Sequence, residues 1–380
     1  MKDEVKRKAR PSVAPRSTIA ASLPSKGQLH NGEFDFISRI KRRAEAARRT
    51  GQTDGLVLGI GDDAAVFNGR GRLDSVITAD LLIEDIDFRR AALPHDIGYK
   101  ALAVSLSDIA AMGARPRWAL LSLGLPQDVY DAPFAVRLYE GFLSAARGFD
   151  VTLIGGDVSR TPERIVIDSI VIGETGRGRA VLRAGARAGD HIYVTGTLGG
   201  AAAGLQLLEH ANSLRTRAAR TRSLYGLAEL TRRQMHPTPR VECGALLGER
   251  RLASAMIDLS DGLSSDLAHL CESSGVGALI EAARIPVAPV LRRANEINSN
   301  QLTRALTDGA LNLALHGGED FELLFTVRPR VAARLPRRLG GVRLTRIGEV
   351  REAREGIRIS QGGREDVLLP SGFDHFKVGR

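Results

Sequence analysis

Met256-Ile257-Asp258-Leu259-Ser260-Asp261-Gly262-Leu263 decides how the chain is read: an apolar run closes on an acid, turns through a glycine, and continues with Leu263, Leu267 and Leu270 at helical spacing. A strand that hands directly to a helix is the unit of an α/β chain rather than of segregated layers. The unit recurs outward in both directions. Strands are expected at 75–78, 118–123, 151–154, 165–172, 191–195, 255–259 and 322–327, and helices at 34–49, 96–112, 133–147, 200–210, 262–273 and 303–314. The stretch 173–189, rich in glycine and arginine, carries no strong pattern and reads as the join between two domains, 31–180 and 181–380.

The length agrees, since 380 residues at about 150 per domain make two domains. Apolar residues are 43% and charged residues 26% of the chain, the balance of an ordinary globular protein, and no run of about 18 uncharged apolar residues exists to span a bilayer. Two cysteines, Cys243 and Cys271, build neither a disulfide framework nor a thiolate zinc site, and a reducing cytoplasm is the expected compartment. The net charge of +10 is unevenly placed: residues 1–30 hold seven basic and two acidic side chains and read as a disordered tail. A second basic stretch, Arg215 to Arg222, reads as a solvated helix face or loop. With aromatics at 4%, a protein that stacks single-stranded bases is disfavoured.

The acids carry the chemistry. Asp62 and Asp63 are adjacent in Gly59-Ile60-Gly61-Asp62-Asp63-Ala64, and two like charges about 4 Å apart repel by roughly 4 kcal/mol at an effective dielectric near 20. Such a pair needs open water or a cation. Asp80 is expected to end its strand and Asp157 to follow another through Gly155-Gly156, places where ligands gather in open sheets. Asp108 falls on the same helical face as Ile97, Ala101, Val104, Ala111 and Met112, so this acid must be paired or bound to a cation. Asp258 and Asp261 flank Ser260; capping by Ser260 or Asp261 explains one acid of the run and not both. Glu319 and Asp320 follow the hinge Gly317-Gly318. Each acid taken alone has a plain structural reading as a turn former, helix cap or arginine partner. Together they form an oxygen-only set without histidine or cysteine, which suits Mg²⁺ before Ca²⁺, and acids facing a polyanionic nucleotide require metal between them. Phosphoryl transfer is the reaction class that uses such a set. Lys100 and Arg183 are the basic groups that could reach phosphate, and the amides of Gly196-Thr197-Leu198-Gly199-Gly200 could cradle an anion or serve close helix packing.

The runs GIGDDAAVF (59–67), ALAVSLSDIAAMG (101–113), LIGGD (153–157), YVTGTLGGAAAGL (193–205), IDLSDGL (257–263) and GGEDFEL (317–323) resemble the thiamine-monophosphate kinase family, over about 32–376. The resemblance implies an α/β (α+β) chain with the two-domain fold of the aminoimidazole ribonucleotide synthetase-like superfamily. The amino-terminal domain would bind ATP and Mg²⁺ and pair in a homodimer, and the second domain would complete the cleft. Carried over by motif, Asp63, Thr78, Asp80, Asp108, Asp157, Asp258 and Asp261 would hold several Mg²⁺ ions, and Gly156, Asp157, Arg183 and Ser260 would contact ATP. Glu319, Asp87 and Phe373 would face thiamine monophosphate. Two positions depart from the family: Ala79 replaces a hydroxyl residue and Asp87 a histidine. The acceptor phosphate is itself a nucleophile, so no general base is expected. The alternatives are a purine-precursor synthetase of the same superfamily and, from another class, a basic nucleic-acid-binding or scaffold protein whose acids merely cap helices.

Overall fold

The run Leu73-Asp74-Ser75-Val76-Ile77-Thr78-Ala79-Asp80-Leu81-Leu82-Ile83 forms one continuous strand whose even-numbered side chains turn inward and whose odd-numbered ones turn out. This period of two places Thr78 and Asp80 on the same inward face. Asp80 was expected at a strand end; it lies inside the strand, opposite Ser169, because pairing continues to Ile83. The computed structural model describes residues 33–47, 55–69, 71–213, 228–296 and 309–376. The expected tail 1–30, the basic stretch 215–222 and the first residues of the helix expected at 303–314 lie outside these.

Among the described residues the chain builds two sheets. The first contains β1 (Leu56–Leu58), β2 (Ala65–Asn68), β3 (Leu73–Ile83), β4 (Arg115–Leu125), β5 (Thr152–Gly155), β6 (Val158–Arg160) and β7 (Val166–Gly176). Its order is β1-β2-β3-β7-β4-β5, with β6 on β4. The second contains β8 (His191–Thr195), β9 (Ala255–Asp258), β10 (Val276–Glu281), β11 (Leu323–Val327), β12 (Arg338–Leu339), β13 (Val342–Glu352), β14 (Ile357–Gln361) and β15 (Arg364–Val367). Its order is β15-β14-β10-β13-β8-β11-β9, with β12 on β13. Between the named strands, parallel pairing occurs for β4 with β5 and β6 and for β10 with β14, so both sheets are mainly antiparallel. The stretch expected to be patternless from 173 is shorter than that: Gly173 to Gly176 complete β7, paired with β3.

The helix Pro94–Ala111 positions the site. Twelve of its residues are buried, because one flank packs on the first sheet and another on the second half of the chain. The helix Phe134–Gly148 crosses it closely enough that a side-chain carbon at Gly98 would collide with the Leu138 carbonyl. On the other flank, Gly244 of the helix Val241–Glu249 meets the Ala110 carbonyl, and Ala110 and Ala111 share an apolar cluster with Leu247, Met256, Leu323 and Phe325. Packing without voids is what fixes such a helix to within a fraction of an ångström. The outer face of the first sheet is different. The row Ala65, Ile77, Ile172 and Trp118 and the row Ala79, Ile170 and Leu120 run across β2, β3, β7 and β4, half-buried except for the exposed Trp118 and Ala79.

Candidate active site

The glycine turn before β2, the inward face of β3, the helix Pro94–Ala111 and the turn after β9 converge on one cavity of about 950 Å³. Asp63, Thr78, Asp80, Arg183, Ser260, Asp261, Glu319, Asp87 and Phe373 all line it. Asp108 and Asp258 stand behind its wall, where one carboxylate oxygen from each of Asp63, Asp108 and Asp258 lies within 4.8 Å of the other two. Three acids from segments almost two hundred residues apart therefore share one small volume.

Each acid is held by a neutral donor or a single arginine. Thr78 Oγ1 donates to Asp108 Oδ2 at 2.5 Å, and Ser107 Oγ donates to Asp258 Oδ2 at 2.7 Å from the helix that also carries Asp108. Arg183 is the shared cation: its Nε donates to Asp63 Oδ1 at 3.1 Å and its backbone N–H to Asp62 Oδ2 at 3.1 Å. Burial, reinforced by neighbouring carboxylates, raises the whole group. Asp258 is pushed to about 8 by burial and then by Asp63, and Asp80 to about 6 by burial with added repulsion from Asp168 and Asp63. Asp108 lies well above the ordinary carboxylate value through burial and then Asp80, Asp258 and Asp63. Asp261 reaches about 6, again chiefly by burial. Like charges desolvated together are poised for a counter-ion.

The capping expectation at Ser260 and Asp261 is corrected. The helix Leu263–Ser274 begins after Gly262, and neither Ser260 nor Asp261 caps it. Asp266, one turn in, reaches back instead and accepts the N–H groups of Gly262 at 3.0 Å and Asp261 at 3.3 Å. The job expected of one signature acid falls to Asp266, which leaves Asp258 and Asp261 for the cavity. The anion cradle at Gly196–Gly200 is also filled from within. Asp320 accepts the N–H of Gly199 at 2.6 Å and of Ala201 at 3.1 Å, at the start of the helix Gly200–Ser213. The hinge acids thus divide, Asp320 to the helix and Glu319 to the cavity.

At Glu319 the cavity changes character. Lys100, 1% exposed on its side chain, pairs with Glu319 Oε1 and donates to the Asp87 carbonyl at 3.1 Å, while Gln234 donates to Glu319 Oε2. Lys100 is therefore committed to Glu319 rather than waiting for phosphate. Asp87 turns its carboxylate to the Ile83 N–H at 2.7 Å and so ties down its own loop. Phe373, 52% exposed, donates its N–H to the Asp261 carbonyl at 3.1 Å and sets its ring edge-on to His375. Gly156 and Asp157 are not brought in: they line a separate depression with Tyr139, Leu153 and Val158, and Asp157 Oδ1 accepts the Val158 N–H at 2.9 Å. Ala79 is exposed and itself lines the cavity, and Thr78 supplies the hydroxyl to Asp108.

Sequence reasoning passed over Ser107, Asp266 and Gln234. A signal for Ser107 was present, since Ser105 and Ser107 interrupt the run Ala101 to Ala111, where Asp108 is the other polar residue. Gln234 offers none, because its partner Glu319 is 85 residues away.

The donor set fits hard divalent cations. Every ligand is oxygen, and Asp63 Oδ2 and Asp80 Oδ2 are buried without a hydrogen-bond partner, a costly state that a cation would relieve. Comparison with known proteins agrees with this geometry. Residues 61–175 match the model of the AIR synthase related protein N-terminal domain, and residues 187–360 that of the C-terminal domain. The thiamine-monophosphate kinase of Salmonella typhimurium is 39% identical over 348 residues, covering 91% of this chain and 98% of its own. That of Bacillus subtilis is 34% identical over 349 residues, covering 91% and 99%. Among solved structures, AaThiL complexed with AMPPCP and TMP superposes with a TM-score of 0.74 at 33% identity, covering 91% of this chain and 97% of that one. The thiamine-monophosphate kinase from Stenotrophomonas maltophilia gives 0.63 at 36% identity, covering 87% and 98%. The chain belongs to the thiamine-monophosphate kinase family of AIR synthase related proteins.

Proposed function

We propose that the protein transfers the γ-phosphoryl group of ATP to the phosphate of thiamine monophosphate, yielding thiamine diphosphate and ADP. An oxygen of the acceptor phosphate attacks the γ-phosphorus, the bond from that phosphorus to the β–γ bridging oxygen breaks, and ADP leaves with the electron pair. Support comes from relatives at 33–39% identity named for this kinase and from a structural neighbour complexed with AMPPCP and TMP. The observation that carries the reading is the meeting of Asp63, Asp108 and Asp258 at the wall of a cavity also lined by Asp80 and Asp261. An acidic cavity of this kind repels a bare nucleotide.

Mg²⁺ would be held by Asp63, Thr78, Asp80, Asp108, Asp258 and Asp261, with Asp157 proposed from its motif alone; when bound, it neutralises charge on the β- and γ-phosphate oxygens. The residues of the chain position what reacts. Arg183 holds Asp62 and Asp63 in place, and together with Ser260 and Gly156 is proposed to contact ATP. Glu319, fixed by Lys100 and Gln234, is proposed to face the positively charged thiazolium of the acceptor, with Phe373 against its rings and Asp87 closing the loop. No side chain needs to withdraw a proton, since the acceptor phosphate is already anionic at neutral pH.

Residues 31–180 are assigned as the nucleotide and dimerisation domain and 181–380 as the domain that completes the cleft. The homodimer is supported by the partly exposed apolar row Ile77, Ile172 and Trp118, which a second copy would bury. Two free, buried thiols and the need for ATP favour the cytoplasm. Among the described residues no helix is long and apolar enough to cross a membrane.

The test is turnover with Mg-ATP and thiamine monophosphate, with thiamine and purine precursors as controls and products identified chromatographically. One ADP per thiamine diphosphate, with thiamine monophosphate alone as acceptor, is expected. ADP release driven by a purine precursor would replace the proposal with the synthetase reading.

A further inference from the structure

Outside the cavity, a second constellation has the chemistry of a metal site of another kind. His95 and Asp96 stand in the first turn of the helix Pro94–Ala111, and His236 directly follows the helix Ala228–Met235. His236 Nε2 is 2.7 Å from Asp96 Oδ1, His95 Nδ1 is 3.8 Å from the same oxygen, and one donor atom of each residue lies within 4.8 Å of the other two. The two imidazole rings are stacked at 6.1 Å, with Tyr99 against His236 at 4.4 Å. A hydrogen bond between Asp96 and His236 accounts for that pair. It does not account for His95, whose Nδ1 lies 3.8 Å from the same oxygen, beyond hydrogen-bond reach.

We infer that His95, Asp96 and His236 bind a borderline divalent transition-metal ion, of which Zn²⁺ is the type, at a site separate from the carboxylate cavity. Two imidazoles and one carboxylate form the donor set that such ions prefer and that Mg²⁺ does not. Bonds of about 2.1 Å in a tetrahedral shell separate neighbouring donors by about 3.4 Å, between the 2.7 and 3.8 Å found here. Small rotamer adjustments therefore suffice. The backbones are already placed: Pro94 and Pro237 flank the two histidines, and Gly141 packs directly on the His95 carbonyl. The side chains are 44%, 24% and 28% exposed for His95, Asp96 and His236, which admits an ion and leaves a position open to water.

The site would tie two elements that both reach the cavity. The helix beginning at His95 carries Lys100 and Asp108, and His236 lies two residues beyond Gln234, the partner of Glu319. Occupancy holds Gln234 and Lys100 on opposite sides of Glu319.

The experiment uses the full chain saturated with millimolar Mg²⁺, so that the carboxylate cavity is filled, and then adds Zn²⁺ in equilibrium dialysis. Co²⁺ in place of Zn²⁺ reports nitrogen ligation through its visible absorption. One further equivalent of Zn²⁺ is expected in the wild type and in Asp108→Asn, with loss of that equivalent in His95→Ala and His236→Ala. His236→Gln serves as the folding control, because a glutamine can keep a hydrogen bond to Asp96 without ligating; it should melt with the wild type and lack the equivalent. Unchanged stoichiometry in the histidine variants, disappearance of the zinc in Asp108→Asn, or no added equivalent in the wild type would each overturn the inference.

Discussion

Arg183, from the segment that joins the two sheets, places its Nε 3.1 Å from Asp63 Oδ1 and gives its backbone N–H to Asp62 at 3.1 Å, so one residue locks both adjacent acids of the first glycine turn. Burial and the neighbouring Asp63 raise Asp62 to about 6 even with the Arg183 guanidinium and N–H opposing them. Removing the guanidinium strands a buried carboxylate beside Asp258. Arg183→Ala is expected to lose about 3–5 kcal/mol of stability in Mg²⁺-free urea melts, the cost of breaking a buried pair from one side, and to recover part of it on adding Mg²⁺. Melts identical to wild type would show that the pair does not hold the turn.

Asp108 separates charge from shape. Burial together with Asp80, Asp258 and Asp63 disfavours its ionised form, so Asp108→Asn removes repulsion while keeping the Thr78 contact available. The variant should melt no lower than wild type without metal, gain less than wild type from Mg²⁺, and lose on the order of 10²–10³-fold in kcat, as for removal of one preorganised electrostatic contact. Asp261→Asn should lose activity likewise. Wild-type rates in either variant would refute their role as metal ligands.

Glu319 is the hinge acid that faces the cavity, clamped by Lys100 and Gln234. With Glu319→Gln the KM for thiamine monophosphate should rise about tenfold, equivalent to about 1.4 kcal/mol, while the KM for ATP stays near wild type. The buried Lys100 would also lose its partner. A Lys100→Met, Glu319→Gln double variant should regain stability but not the substrate KM, which separates binding from packing in a double-mutant cycle. Equal effects on both substrates would assign Glu319 to general architecture.

Glu84 supplies a pH prediction away from the metal ligands. Burial raises its pKa, but the Arg90 guanidinium and the Ile165 N–H more than offset that, and the net position lies below the ordinary value of 4.5. A depressed carboxylate stabilises the fold above its unfolded-state pKa and loses that contribution as pH falls through the folded one. The stability difference between wild type and Glu84→Gln, about 1.5–3 kcal/mol for hydrogen bonds to a charged group, should be flat above about pH 5 and shrink below 4.5. A difference that grows on acidification would contradict the pairing.

The strands and helices that bear the signatures were legible because each has a period of its own. β8 and β11 agree with expectation to within a residue, and the helices at 94–111 and 263–274 to within two. The strand β13 of that same sheet was not. β13 reads Val342-Arg343-Leu344-Thr345-Arg346-Ile347-Gly348-Glu349-Val350-Arg351-Glu352, and a register shift between Arg346 and Gly348 breaks its alternation in mid-strand. A bulge of that kind is set by the partner strand β8 and leaves no mark that a period-two reading can follow.

Local sequence determined which acids sit at glycine turns, which one interrupts an apolar helical face, and, through six separated motifs, the family. Those properties depend on side-chain periodicity over a few residues, and the chain carries them whether folded or not. Only the tertiary structure decided that Asp63, Asp108 and Asp258 meet, that Asp266 rather than Ser260 or Asp261 holds the helix start, and that Asp320 turns inward while Glu319 does not. Those outcomes are settled by contacts between residues far apart in the chain, where packing around the helix Pro94–Ala111 leaves room for one arrangement of the charges.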